Sequence, residues 1–256
     1  MQHQFKKSLG QHFLINKSIL KKIVSIKDIR DKIIFEIGPG QGALTKEILQ
    51  KKPKKLILIE KDKNLRSDLL KLQENFKDTI SYIYDDILNI NLKDFNYKKI
   101  QIISNLPYNI ASTLIIKLII DFDIVESMVL MVQKEVAERL SAKVSTSSYS
   151  RLSVLIQLHA HVEKMFEVEP HNFNPKPKVK STVIKITPYR GEKKNYDKLD
   201  FILKVSFRQR RKTIKNNLKA FYIDAETKIL ECGIDPNSRP QDLEPNDFVK
   251  LSKVLI

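Results

Sequence analysis

The sequence of 256 residues has one cysteine, Cys232, and no tryptophan. A single thiol excludes an internal disulfide and leaves no cysteine set for a structural zinc site. His159 and His161 alternate with apolar neighbours and have no third ligand nearby, so they read as strand side chains and no metal is expected. No apolar stretch approaches the roughly 18 residues that a membrane span requires. The basic start, Met1 to Lys7, leads into no apolar signal core. A cytoplasmic protein with no membrane partner is therefore expected. Acid is also scarce: 30 Asp+Glu stand against 46 Lys+Arg, a formal net charge of +16. Such an excess favours a polyanionic partner, most often nucleic acid. Abundant Lys and Ile without Trp also fit an AT-rich genome, so the charge points to nucleic acid without deciding for it.

What is present is organised around Asn105-Leu106-Pro107-Tyr108. The apolar run Ile100 to Ile103 before it reads as a buried strand, and Ile110 to Ile120 after it as a helix. The four residues thus stand at the carboxyl end of a strand, where open α/β sheets bind ligands. They suit a flat, weakly acidic amine. Asn105 offers an amide oxygen, and Pro107 biases Leu106 towards an extended backbone that can present its carbonyl. Tyr108 offers a stacking face. A strand ending in a Pro turn with a packed Tyr is the plainer alternative.

Upstream, Lys32 to Ile37 reads as a strand, Glu36-Ile37-Gly38-Pro39-Gly40-Gln41-Gly42 as a turn, and Ala43 to Gln50 as a helix. This is the first unit of a nucleotide-binding α/β fold. It is neither a dinucleotide fingerprint nor a P-loop, because Pro39 and the spacing differ and no Gly-Lys-Ser/Thr follows. Glu36 beside the glycines would repel a diphosphate and better suits a cationic ligand. Lys55 to Ile59 is the next strand, and Glu60 ends it about twenty residues past the glycines, where a carboxylate takes ribose hydroxyls. A helix from Asn64 to Glu74 and a strand from Ile80 to Tyr84 follow. Asp85 or Asp86 at that strand end could accept from an adenine amine, and chemistry alone does not choose between them.

The chain continues with a strand at Met128 to Gln133, helices at Lys134 to Ser141 and Arg151 to Leu158, and a strand from His159 to Val168. Phe173-Asn174-Pro175-Lys176-Pro177-Lys178-Val179-Lys180-Ser181 is a stiff basic loop whose lysines suit phosphates and whose Phe173 could stack on a base. Ser181 to Thr187 is a final strand. Pro188 to Tyr196 reads as a linker, and the remainder is helical. Within it, Phe207 to Lys219 concentrates charge on an amphipathic helix, which is either a solvated face or an RNA-facing one. At the other end, Lys6 to Leu14 is expected to be an ordered contact arm, with Asn16 or Ser18 capping a helix that runs to about Val24.

Taken jointly, these segments resemble the ribosomal RNA adenine dimethyltransferases. The resemblance rests on Leu9-Gly10-Gln11-His12-Phe13-Leu14, Glu36-Ile37-Gly38-Pro39-Gly40, Asn105-Leu106-Pro107-Tyr108-Asn109-Ile110, Gln133-Lys134-Glu135-Val136-Ala137-Glu138-Arg139 and the Phe173 to Val179 loop, and it continues through Arg208-Gln209-Arg210-Arg211-Lys212-Thr213 and the tail from Arg239. It implies an α/β, Rossmann-like methyltransferase fold with a seven-stranded, mostly parallel sheet. A methyltransferase domain over residues 1–188 and a helical RNA-binding domain over 196–256 are expected. It implies S-adenosylmethionine as cofactor, held by His12, Leu14, Gly38, Glu60, Asp86 and Asn105. Asp86 is chosen over Asp85 because it directly precedes Ile87-Leu88. The catalytic set would be Asn105, Leu106, Tyr108 and Phe173. The family position of His12 often carries Asn. The implied substrate is a pair of adjacent adenosines in a hairpin near the 3′ end of 16S rRNA in the small ribosomal subunit, dimethylated on N6 during ribosome biogenesis by a monomer. The antibiotic-resistance branch acting on 23S rRNA usually shows Ile where Leu106 stands and lacks the Leu-Gly-Gln opening. A DNA adenine methyltransferase would share the chemistry, and an assembly factor without catalysis would share the fold.

Overall fold

The computed structural model describes residues 12–190 and 196–255. Residues 6–11 of the expected arm and 191–195 of the expected linker lie outside the described residues. The chain begins with a two-residue strand, β1 (Phe13–Leu14), and then Asn16, whose side chain accepts from the N–H groups of Ser18 and Ile19 and opens α1 (Lys17–Val24). That capping satisfies donors that the first turn of a helix leaves unpaired. Two buried runs form β2 (Ile33–Ile37) and β3 (Lys55–Ile59), separated by the glycine turn and α2 (Ala43–Gln50). Both strands are largely apolar because parallel strands are covered on both faces. Next come α3 (Arg66–Asn75), β4 (Ile80–Ile83), β5 (Ile100–Asn105), α4 (Ala111–Leu118) and β6 (Val125–Gln133). The chain continues through α5 (Lys134–Leu140), α6 (Arg151–His159), β7 (Ala160–Val168), β8 (Phe173–Asn174) and β9 (Ser181–Pro188), and then α7 (Tyr196–Ser206), α8 (Ile214–Leu218), α9 (Ala225–Glu231) and α10 (Pro245–Leu255).

Seven strands make one sheet in the order β4-β3-β2-β5-β6-β9-β7. All pairs from β4 to β6 are parallel, and β9 runs antiparallel to β6 from Met128↔Ile186 to Gln133↔Ser181. The chain builds outward in one direction through β2, β3 and β4 and in the other through β5 and β6. The order therefore reverses between β2 and β5, which is where a crevice opens at the carboxyl ends of such a sheet. The expected seven-stranded, mostly parallel α/β sheet is observed. Its core includes Ile34, Leu56, Leu58, Ile103 and Val129, with α1 and α2 contributing Leu20, Ile23, Leu44 and Ile48. A separate two-stranded pair joins β1 to β8, with Phe13 opposite Asn174 and Leu14 opposite Phe173.

The described chain divides into two compact units. The first takes the residues up to Ala137 and His161–Pro188; the second takes Glu138–Ala160 with the residues from Tyr189 onward. This departs from the expected boundary at 188, because residues 138–160 group with the C-terminal segment. The physical reason is polar and apolar packing inside the second unit. Buried Tyr149 donates to the Leu243 carbonyl at 3.1 Å, and Arg151 reaches Asp200 on α7 through Nε at 2.9 Å and through its terminal nitrogen. α6 packs on α7 and on α10.

The amphipathic helix expected over 207–219 is not continuous. A 3-10 turn at Phe207–Gln209 ends, and Thr213 starts α8 afresh with its side chain accepting from the Asn216 N–H. Asn217 ties the break together by donating to the carbonyls of Gln209 and Thr213, both at 3.1 Å. His159 closes α6 rather than starting the strand, with Nδ1 2.7 Å from the Leu155 carbonyl. No helix among the described residues is long and apolar enough to cross a membrane.

Candidate active site

A cavity lies in the first unit at the carboxyl ends of β2, β3 and β5. About 790 Å³ of space, counting its open mouth, is bounded by His12, Gly38, Glu60, Asp86, Asn105 and Tyr108, among others. Each wall has a local cause. Gly38, Gly40 and Gly42 all turn with positive φ, at 65°, 60° and 77°. The freedom of glycine matters most at Gly40, where a Cβ would come within 2.4 Å of the Phe13 ring. The arm thus closes on the glycine turn through the space that a side chain would fill.

Glu60 follows the end of β3. Its carboxylate accepts from the Asp62 N–H at 2.8 Å and the Gly40 N–H at 3.2 Å. Burial pushes its pKa up, and those two backbone donors oppose the rise. Asp86 follows β4 and caps a 3-10 turn at Ile87–Asn89, accepting from the Leu88 N–H at 3.0 Å and from Lys61 Nζ at 2.7 Å. The Lys61 hydrogen bond holds the Asp86 carboxyl below the usual range. Asp85 also lines the cavity, but one of its oxygens accepts from the Asp86 N–H at 2.6 Å.

Asn105 closes β5, and its Nδ2 donates to the His12 carbonyl at 2.9 Å. That contact uses the donor side of the amide and leaves the oxygen as the acceptor. Leu106 is buried, with its N–H donating to the Met131 carbonyl on β6 at 3.1 Å. The Tyr108 hydroxyl lies 2.5 Å from Ser181 Oγ, and its ring centroid 5.2 Å from that of His12. His12 Nδ1 is in turn 2.7 Å from the Pro175 carbonyl. Burial raises the Tyr108 pKa, so the phenol is neutral near pH 7. Ser104 donates to the Ile37 carbonyl and locks β5 to β2 behind the cavity.

Two expected site residues stand elsewhere. Leu14 and Phe173 are each 3% exposed and belong to the core cluster. They do not line the cavity, because the short β1–β8 pair sets them opposite each other and both pack inward. Phe173 is therefore not a stacking face in this structure. Glu36 is also buried and off the cavity wall. It accepts from Thr45 Oγ1 at 2.7 Å, and burial pushes its pKa up to about 8. The expectation that its charge faces a ligand is not met here.

A family model described as ribosomal RNA adenine dimethylase matches residues 2–256. The chain belongs to this family. A dimethylase of this kind is a methyltransferase, and relatives agree. The chain is 41% identical to the ribosomal RNA small subunit methyltransferase A of Pelagibacter ubique over 97% of this chain and 95% of that one. It is also 41% identical to the protein of that name from Ehrlichia chaffeensis, over 98% and 96%. A dimethyladenosine transferase from Plasmodium falciparum superposes with a TM-score of 0.80 at 31% identity, covering 94% of this chain and 96% of that one. The 23S rRNA methyltransferase ErmE has the same fold, with a TM-score of 0.68 at 20% identity over 95% and 99%.

Within this dimethylase, the structure brings His12, Gly38, Glu60, Asp86, Asn105, Leu106 and Tyr108 to one cavity. Sequence reasoning missed Ser181 as the partner of Tyr108 and Lys61 as the partner of Asp86. Ser181 and Tyr108 are 73 positions apart, so no local pattern signals their contact.

Proposed function

We propose that this dimethylase transfers methyl groups from S-adenosylmethionine to N6 of two adjacent adenosines in a hairpin near the 3′ end of 16S rRNA, within the small ribosomal subunit. The observation that carries the reading is the Asn105 amide at the tip of β5, with its nitrogen tied to the His12 carbonyl and its oxygen left to accept. The cavity fits the cofactor chemically. Glu60, Asp85 and Asp86 give it an acidic wall in a chain of net charge +16, and among the described residues Lys61 is the one lysine or arginine that lines it. Such a set of acceptors suits hydroxyls, an exocyclic amine and a cationic sulfur rather than a phosphate.

Glu60 would hold the ribose hydroxyls, Asp86 the adenine amine, and Gly38 and His12 the remainder. When bound, S-adenosylmethionine supplies an electrophilic methyl group on a positively charged sulfur. The target base must leave its stack to reach the cavity. Tyr108 gives it a stacking face worth about 1–3 kcal/mol. The Asn105 oxygen and the Leu106 carbonyl accept from N6 and orient its lone pair. That lone pair is delocalised into the ring, so drawing the nitrogen towards tetrahedral geometry lowers the barrier by positioning and electrostatics. No general base is required, since the methylated nitrogen is strongly acidic before its proton leaves. The decisive experiment supplies labelled S-adenosylmethionine with immature small subunits, large-subunit rRNA or duplex DNA. Label should enter only the small-subunit RNA, at two adjacent adenosines; label in either other substrate refutes the reading.

A further inference from the structure

The 3-10 turn Ile87–Asn89 is short, and it brings two residues to the cavity, its cap Asp86 and its first member Ile87. Asp86 closes its amino end. Two backbone bonds close the turn, from the Asn89 N–H to the Asp86 carbonyl at 2.8 Å and from the Ile90 N–H to the Ile87 carbonyl at 3.2 Å. The carbonyls of Ile87, Leu88 and Ile90 all accept from one group, Lys117 Nζ on α4, at 2.7 Å to Ile87, at 2.8 Å to Leu88, and to Ile90. A lysine on a helix face ordinarily extends its ammonium to water. Here all three ammonium hydrogens are spent on one turn, some thirty residues away in sequence. Burial pulls the Lys117 pKa down, and the negative charges of Asp121 and Asp86 oppose that fall. A single cation thus closes the loop that follows β4.

We infer that Lys117 is a positioning residue for the adenine end of the cofactor site: its ammonium group holds residues 87–90 in the shape that lets the Asp86 carboxylate meet an exocyclic amine while Ile87 lines the cavity beside it. This rests on the reading that the cavity takes S-adenosylmethionine. Lys117 does not line the cavity and touches neither ligand nor reacting atoms. It acts through the turn. Losing the cation leaves three carbonyls without their shared donor, and the turn can then relax away from the shape that Asp86 needs.

The test compares wild type with Lys117→Met and Lys117→Arg by titration calorimetry, using S-adenosylhomocysteine and adenosine as probes. Lys117→Met should weaken both probes by the same factor, on the order of tenfold, as expected for loss of hydrogen bonds from a charged donor. Lys117→Arg, which keeps charge and several donors, should recover most of the affinity. In turnover the effect should fall on KM for the methyl donor, with kcat at saturation and affinity for the RNA hairpin unchanged. Amide hydrogen exchange at Leu88, Asn89 and Ile90 should accelerate in Lys117→Met. If Lys117→Met fails to fold, Lys117→Gln, which keeps donors without the charge, is read by the same outcomes. Wild-type affinity for both probes in folded Lys117→Met, or in Lys117→Gln where it replaces it, overturns the inference while leaving the cofactor reading intact. A wild-type protein that binds neither probe overturns the cofactor reading itself, and the role of Lys117 with it.

Discussion

Replacing Glu36 with Gln should change how stability depends on pH. Glu36 is 1% exposed, its oxygen accepts from Thr45, and the nearby Glu60 adds repulsion to the cost of burial. Its pKa moves from 4.5 to about 8. Between those values the folded state keeps a proton that the unfolded state has lost, so folding weakens as pH rises. The contribution is whole below pH 4.5 and gone once pH passes about 8. Across the full window the change is roughly 5 kcal/mol, at about 1.4 kcal/mol per pH unit. Between pH 6 and 8 alone it is roughly 3 kcal/mol on the same basis. Glu36→Gln keeps the shape and cannot ionise, so the variant should match wild type in acid and exceed it at pH 9. Urea unfolding of both proteins from pH 6 to 9, without cofactor, measures the difference. Parallel curves would show that Glu36 ionises as easily folded as unfolded, and the argument from burial would fail.

Asn105→Ala should lower turnover on the order of 10²-fold, as removal of one preorganised polar group does elsewhere, while leaving RNA affinity in place; a loss of RNA binding with intact turnover contradicts the role given to Asn105. Gly40→Ala should lose about 1–2 kcal/mol from its positive φ alone and more from displacing Phe13, seen as a reduced Tm and weaker S-adenosylhomocysteine binding; an unchanged Tm counts against the arm packing there. Tyr108→Phe loses only the bond to Ser181, whereas Tyr108→Ala should cut turnover on an RNA hairpin roughly 10- to 100-fold through lost stacking; equal activity of the two variants would remove Tyr108 from base binding. RNA affinity measured against salt should fall steeply, at a slope of about −0.9 per neutralised phosphate in duplex, and a flat dependence would exclude the lysines and arginines as phosphate contacts.

The sheet was legible because its strands are apolar runs with sharp ends. Lys55–Ile59 and Ala43–Gln50 are observed with the expected bounds. Where reading failed, it failed for physical reasons. Charge periodicity through Phe207 to Lys219 runs on unbroken, but Thr213 competes for the backbone and starts a new helix. Phe173 looks the same in sequence whether its ring faces a base or a core. Only the pairing of Phe173 with Leu14 turns it inward. Glu36 read as a ligand-facing charge because the hydroxyl that takes it, Thr45, sits nine residues on, in the first turn of α2. Chemistry alone did not separate Asp85 from Asp86, because what distinguishes them lies in the fold: Asp86 takes the Leu88 N–H and the Lys61 ammonium group, whereas Asp85 takes the Asp86 N–H.

The arm explains why the amide at 105 has a direction. An Asn side chain can turn over and exchange its oxygen with its nitrogen at little steric cost. For a substrate that has only hydrogens to offer, one of the two orientations is useless. The His12 carbonyl, 2.9 Å from Nδ2, breaks the tie, because the flipped amide would set oxygen against oxygen. His12 is itself held by the Pro175 carbonyl and lies beside the Tyr108 ring. The orientation of Asn105 therefore depends on a segment 93 residues away in sequence. The demand differs between the two rounds of methylation. In the proposed arrangement an unmodified N6 has two hydrogens to give the Asn105 oxygen and the Leu106 carbonyl, whereas a monomethylated N6 has one. The second transfer must then rely on a single acceptor, so a loosened arm should slow it more than the first and leave monomethylated adenosine to accumulate.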